Sequence, residues 1–166
     1  MAEITLGGNP VNTGGTVPAA GAAAPDFTLT GPDLAPITKA DFAGQNVVLN
    51  IFPSVDTPTC ATSVRTFNER ASSLDNTTVL CVSADLPFAQ GRFCGSEGLE
   101  NVKTASTFKN PDFLETFGVS MVDGPLEGLA ARAVVVVNGA GEVVHSELVG
   151  EIANEPNYDA ALGALG

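Results

Sequence analysis

Val47-Val48-Leu49-Asn50-Ile51-Phe52 runs straight into Pro53-Ser54-Val55-Asp56-Thr57-Pro58-Thr59-Cys60, and an amphipathic helical pattern follows. The nearly continuous apolar run predicts a strand buried on both faces. Thr57 suits a helix N-cap, and Pro58 suits the first helical position, where its missing N–H costs nothing. Cys60 is then the third helical residue. A thiol there faces unpaired backbone N–H groups and the positive end of the helix dipole, which favour thiolate over thiol. Beyond it, Cys60, Val64, Phe67, Ala71 and Leu74 share one face of the predicted helix.

Downstream, Thr77–Ser83 predicts a second buried strand. A helix from about Pro87 to Phe93 carries Cys94 at or just past its end. Val102–Ser106 predicts a shorter strand and Pro111–Phe117 a short helix closed by Gly118. Ala133–Val137 and Glu142–Leu148, joined by Asn138-Gly139-Ala140-Gly141, predict a hairpin, and Tyr158–Leu165 a final amphipathic helix. Upstream, Asp26–Thr30 predicts a short strand. Glu3–Leu6 and Thr16-Val17, which flank Gly7-Gly8-Asn9-Pro10 and Gly14-Gly15, predict an N-terminal hairpin. The order is βαβ, a crossover, a β-hairpin and a closing helix. It predicts an α/β, thioredoxin-like fold with an added N-terminal β-hairpin. One domain is expected over residues 1–166, with the hairpin at 1–17 and a small-residue linker at 18–25.

Composition narrows the function classes. Hydrophobic residues make up 44% and charged residues 16%, so a packed core is expected rather than disorder. A net charge of −12 argues against a nucleic-acid or anionic-membrane partner and suits a soluble cytoplasmic protein with small, neutral substrates. No apolar run approaches the ~20 residues of a membrane span. Ala19–Ala24 lacks the basic stretch of a signal peptide, because the first positive residue is Lys39. The three cysteines, Cys60, Cys81 and Cys94, fit no zinc-binding spacing. His145 is the only histidine, which argues against a Cys–His protease and a histidine-rich metal site. No nucleotide-binding motif is present, so neither cofactor nor metal is expected.

Pro53-Ser54-x-Asp56-Thr57-x-x-Cys60 resembles the peroxidatic loop of peroxiredoxins, whose pattern is Pro-x-x-x-Thr-x-x-Cys. Ser83-Ala84-Asp85-Leu86-Pro87-Phe88-Ala89-Gln90-Gly91-Arg92-Phe93-Cys94 resembles the resolving-cysteine segment of the bacterial thiol peroxidase branch, the atypical two-cysteine peroxiredoxins. Ala131-Arg132-Ala133-Val134-Val135-Val136-Val137 resembles that branch's arginine-bearing strand. The tail from Glu147 to Leu162 also fits, and the resemblance spans nearly the whole chain. The branch also has an N-terminal hairpin before its core.

The resemblance implies a thioredoxin-dependent hydroperoxide reductase. Cys60 would be the peroxidatic thiol and Cys94 the resolving one, joined in an intramolecular disulfide during turnover. Thr57, Arg132 and Pro53 would complete the site, with Pro53 closing the pocket over the sulfur. In a thioredoxin-like sheet the strand at Ala133 begins beside the end of the Phe52 strand, so Arg132 is expected next to Cys60. By its residues alone Arg132 could equally form a surface ion pair. Cys81, in an apolar strand, reads as an inert buried thiol. A homodimer is implied, its interface including the face near residues 57–62. The alternative from another class is a redox sensor, oxidised at Cys60 and passing its disulfide to a regulatory protein without sustained turnover.

Overall fold

Gly7 and Gly8 take positive φ angles, +59° and +85°, the turn that two adjacent glycines allow without steric cost. They close an N-terminal hairpin of β1 (Ala2–Leu6) and β2 (Asn9–Thr13). The hairpin is the expected one, but its second strand is Asn9–Thr13 rather than Thr16-Val17. Asn9 and Pro10 look like turn residues in sequence, yet a two-stranded ribbon leaves edges on which proline's missing N–H is harmless. The computed structural model describes residues 2–165, so Met1 and Gly166, the ends of the expected single domain and its hairpin, lie outside the described residues.

Seven strands form the main sheet. They are β3 (Thr28–Thr30), β4 (Pro36–Thr38), β5 (Asn46–Ile51), β6 (Thr77–Ser83), β7 (Lys103–Ser106), β8 (Ala133–Val137) and β9 (Val143–Leu148). Their spatial order is β4-β3-β7-β6-β5-β8-β9. The strands β5, β6 and β7 are parallel, and β8 and β9 run antiparallel beyond β5. The helices are α1 (Pro58–Ala71), α2 (Pro87–Glu97), α3 (Asp112–Thr116) and α4 (Tyr158–Gly163). The sequence pattern did not reveal β4, a three-residue edge strand that opens on a proline, or the 3₁₀ turn at Lys39–Phe42 after it. Cys94 lies inside α2 rather than at its end, because the helix continues through Gly95 to Glu97 before Gly98 closes it at φ +67°.

Alternation along β5 sends its residues to two cores. Val47, Leu49 and Ile51 pack with Leu29, Leu80, Phe113 and Phe117 on the α3 side. Val48 and Phe52 pack with Val64, Phe67, Phe93, Val134 and Val136 on the side of α1, α2 and α4. Both faces are covered, as a nearly unbroken apolar strand requires. The small-residue segment before β3 runs along the β8–β9 hairpin, with Gly21 N–H donating to Val143 O and Ala24 N–H to Gly141 O. A third cluster seats the N-terminal hairpin. In it Ile4 and Val11 pack against Met121, Ala131 and Ile152. No described helix is long and apolar enough to cross a membrane.

Candidate active site

Ile51 pairs with Ala133 across the β5–β8 ladder. The register puts Arg132, one residue before β8, at the edge where β5 runs out into the 53–57 loop. On the other side of β5, Phe52 extends the pairing with β6 by donating its N–H to Val82 O, and Pro53 is buried behind it. The chain then folds on itself at Ser54. Its carbonyl accepts both the Thr57 N–H (3.2 Å) and the Thr57 hydroxyl (2.9 Å), while its own Oγ accepts the Asp56 N–H. Thr57 is the N-cap by position, with extended backbone angles, but its side chain does not cap α1. The hydroxyl proton is committed to the turn instead, which corrects the side-chain half of the N-cap expectation.

Asp85, in the turn between β6 and α2, anchors this loop. Its carboxylate accepts from Ser54 Oγ (2.8 Å), Val55 N–H (2.8 Å) and Ser83 Oγ (2.7 Å), and its carbonyl accepts from Ser106 Oγ (2.6 Å). The segment that carries Cys60 is thereby tied to the segment that leads into α2. Asp85 lies inside the Ser83–Cys94 segment, but no local pattern marks its role, because its loop partners lie 30 and 31 residues away.

Cys60 is fully buried in the first turn of α1. Arg132 Nη2 donates to its sulfur at 3.3 Å across 72 residues of sequence. The guanidinium is only 1% exposed. Its Nε donates to Ile152 O at 2.9 Å, and its Nη1 is buried without a partner among the described residues. Beneath the thiol, Ser63 Oγ donates to Cys60 O (2.8 Å) and Asn50 Nδ2 donates to Ser63 Oγ (3.2 Å). The first turn is thus fixed from below by polar side chains and from the side by an arginine. On its outer surface Thr59 Oγ1 donates to Ala153 O (3.0 Å). A cleft of about 260 Å³ opens there, between Pro58, Thr59, Thr62 and residues 153–155. A second cavity, about 240 Å³, lies at the opposite end of β5 around Lys39, Phe42 and Gly139, far from the cysteine.

The other two cysteines occupy different environments. Cys94 is half-buried at the edge of the same core, and its thiol is pushed up by desolvation. Cys81 is wholly buried in β6, its thiol pushed up to about 12 by burial, with Asn50 Nδ2 3.8 Å from its sulfur. None of the three is disulfide-bonded. His145 sits half-buried in β9, opposite Val136, and the described residues hold no grouping of His, Cys, Asp and Glu that could bind a metal.

Residues 19–162 match the Redoxin family. The thiol peroxidase of Mycobacterium tuberculosis (strain ATCC 25618 / H37Rv) is 62% identical over 166 residues, covering all of this chain and 99% of that protein. The crystal structure of a peroxiredoxin-like protein from Aquifex aeolicus superposes with a TM-score of 0.92 at 37% identity, over 99% of this chain and 96% of that one. A thiol peroxidase from Chromobacterium violaceum has the same fold, with a TM-score of 0.90 at 22% identity over 98% and 94% of the two chains.

Proposed function

The chain belongs to the Redoxin family, and from that premise we propose that it is a thiol peroxidase whose reacting sulfur is that of Cys60. The observation that carries the assignment of the site is the 3.3 Å contact from Arg132 to a sulfur excluded from water. A buried guanidinium needs a compensating negative charge. Its only side-chain hydrogen-bond partner among the described residues is Cys60, so the one buried cation of the site is aimed at the sulfur that is to react.

In the first step the Cys60 thiolate attacks the terminal oxygen of ROOH. The O–O bond breaks, the leaving RO⁻ takes up a proton to become ROH, and Cys60 becomes a sulfenic acid. Arg132 Nη1, which has no protein partner among the described residues, donates to the peroxide and stabilises the charge that develops there. Thr57, its proton already given to Ser54 O, keeps lone pairs free to accept from the peroxide O–H. Pro53 backs the pocket.

Cys94 closes the cycle. Its thiol condenses with the sulfenic acid, water leaves and a Cys60–Cys94 disulfide forms. A protein dithiol of the thioredoxin type then reduces it by exchange. A disulfide requires Cα atoms within ~7 Å. Here both cysteines sit within helices, so residues 57–62 and 92–96 unwind locally to meet. Cys81, buried and protonated, takes no part. The working protein is a cytoplasmic homodimer, whose interface includes the face beside residues 57–62.

The test is hydroperoxide consumption coupled to thioredoxin, thioredoxin reductase and NADPH, with Cys60→Ser, Cys81→Ser and Cys94→Ser alongside the unchanged protein. Sustained turnover that needs Cys60 and Cys94 but survives loss of Cys81 is expected. One oxidation without recycling would contradict it and favour a sensor.

A further inference from the structure

Arg132 is held by a segment that the N-terminal hairpin holds in turn. Val149 N–H donates to Arg132 O and Arg132 Nε donates to Ile152 O, so residues 149–152 fix both the backbone and the side chain of the arginine. The same stretch ends at Ala153, whose carbonyl accepts the Thr59 hydroxyl from the first turn of α1. This strap pairs with β1, with Thr5 N–H donating to Gly150 O (2.8 Å) and Ile152 N–H to Thr5 O (2.9 Å).

Glu151 lies at its centre. Oε1 accepts from Thr5 Oγ1 (2.9 Å) and Gly8 N–H (2.8 Å), and Oε2 accepts from Gly7 N–H (3.1 Å) and Ala153 N–H (3.0 Å). Three of these donors belong to the hairpin and one to the strap itself. Apolar packing reinforces the joint, because Ile4 and Val11 press on Ala131 and Ile152, the neighbour of Arg132 and the residue that binds its Nε.

We propose that Glu151 is a positioning residue: by clamping the 150–153 strap to the Gly7-Gly8 turn, it aims Arg132 at the Cys60 sulfur. The N-terminal hairpin is then part of the catalytic scaffold rather than an ornament. An arginine and a thiolate 3.3 Å apart interact strongly only while that distance is kept. Loss of the clamp frees the strap, loosens the Ile152 carbonyl and lets the guanidinium drift.

The proposal rests on Cys60 as the reacting thiol, and two readouts keep the two ideas apart. Thiolate absorbance at 240 nm against pH, in a Cys94→Ser background, reports the Arg132–Cys60 pair without peroxide. The rate of oxidation by hydrogen peroxide reports the chemistry. Glu151→Ala is expected to move the absorbance profile to higher pH and to slow oxidation at pH 7 by roughly tenfold, the equivalent of one pH unit. Glu151→Gln, which keeps one oxygen acceptor, should fall between and carries the test if the alanine variant does not fold. Asp123→Asn perturbs the other hairpin strand, where Asp123 accepts from Asn12 N–H and Nδ2, and leaves the strap untouched. It should change neither readout by more than about twofold, well inside the one-unit shift expected above. An unshifted profile and rate in the Glu151 variants would overturn the proposal, as would equal shifts from Asp123→Asn. An unchanged protein inert to peroxide would count against the peroxidase reading, while the absorbance profile would still decide the role of Glu151.

Discussion

The two helices that carry Cys60 and Cys94 differ in how firmly they are made. α1 runs for 14 residues, begins on a proline, and buries Cys60, Ala61, Ser63, Val64 and Phe67. Phe67 meets Tyr158 of α4 edge to face at 5.1 Å, which locks the far side of α1. α2 has 11 residues, shares with α1 an opening proline and the lack of a side-chain N-cap, and differs in its two internal glycines, Gly91 and Gly95, around Cys94. Each glycine costs a helix about 0.8–1.0 kcal/mol relative to alanine. Its first turn also shows Leu86 and Phe88 to solvent, Phe88 69% exposed. Apart from Phe93 in the shared core and Gln90, whose Nε2 donates to Ser83 Oγ and Ala105 O, the ties from α2 to α1 and its loop are surface ion pairs, Arg65–Glu97 at 2.7 Å and Arg92–Asp56 at 3.6 Å, each worth about 0–1 kcal/mol. Cys60 thus sits on the longer, more deeply buried helix, and Cys94 on the shorter one with two internal glycines. The proposed Cys60–Cys94 disulfide would draw on this asymmetry, because the glycine-bearing helix is the one that opens at less cost.

Breaking the firm side should have the largest effect. Cys60→Ser is expected to abolish peroxide consumption in the coupled assay, and any residual turnover would move the reaction to another residue. Arg132→Met should slow oxidation of Cys60 roughly 10²- to 10³-fold, the usual cost of one donor at a developing charge. The same change removes one partner of a buried pair and leaves Ile152 O without its donor, so thermal unfolding should also show a loss of about 3–5 kcal/mol. An unchanged oxidation rate in a folded Arg132→Met protein would mean that Arg132 holds the fold rather than the transition state.

Stiffening the weak side gives a subtler effect. A Cβ at Gly91 or Gly95 meets nothing within 4 Å, so alanine fits at both. Gly91→Ala and Gly95→Ala should each slow disulfide formation about four- to fivefold by stabilising α2, and leave sulfenic acid formation unchanged. Rapid-quench mass spectrometry separates the two steps, and equal rates of disulfide formation in variant and parent would remove the need for unwinding. The smallest effect concerns acid. Glu151 is pulled down to about 2, chiefly by the Ala153 and Gly8 N–H groups. A carboxylate whose folded pKa is depressed contributes stability above its unfolded value, and loses it as pH falls toward the folded one. Proteolysis within residues 2–13 should therefore accelerate between about pH 4.3 and pH 2 in the unchanged protein, and far less in Glu151→Gln.

The parts of this molecule that were legible in sequence are those set by local chemistry. An apolar run, a threonine, a proline and a cysteine at fixed offsets gave β5, the loop and the start of α1. The apolar Thr77–Ser83 run gave β6 with its observed limits. Where local signals conflicted, the reading slipped. Pro10 looked like a turn but lies in β2, and the helix expected to end near Phe93 runs on to Glu97. The side-chain wiring was out of reach. Thr57 gave its hydroxyl to Ser54 rather than to the helix, and Glu151 draws donors from 143 to 146 residues away. Such acceptors are chosen by the packed sheet, and no spacing along the chain encodes them.

Peptide mapping by mass spectrometry, after one equivalent of hydrogen peroxide is added to the reduced protein, decides whether Cys60 and Cys94 form the reacting pair. One new cross-link is expected, between the peptides that hold Cys60 and Cys94, with Cys81 still a free thiol. A Cys60–Cys81 cross-link, or a Cys60 sulfenic acid that persists beside a reduced Cys94, would contradict that pairing.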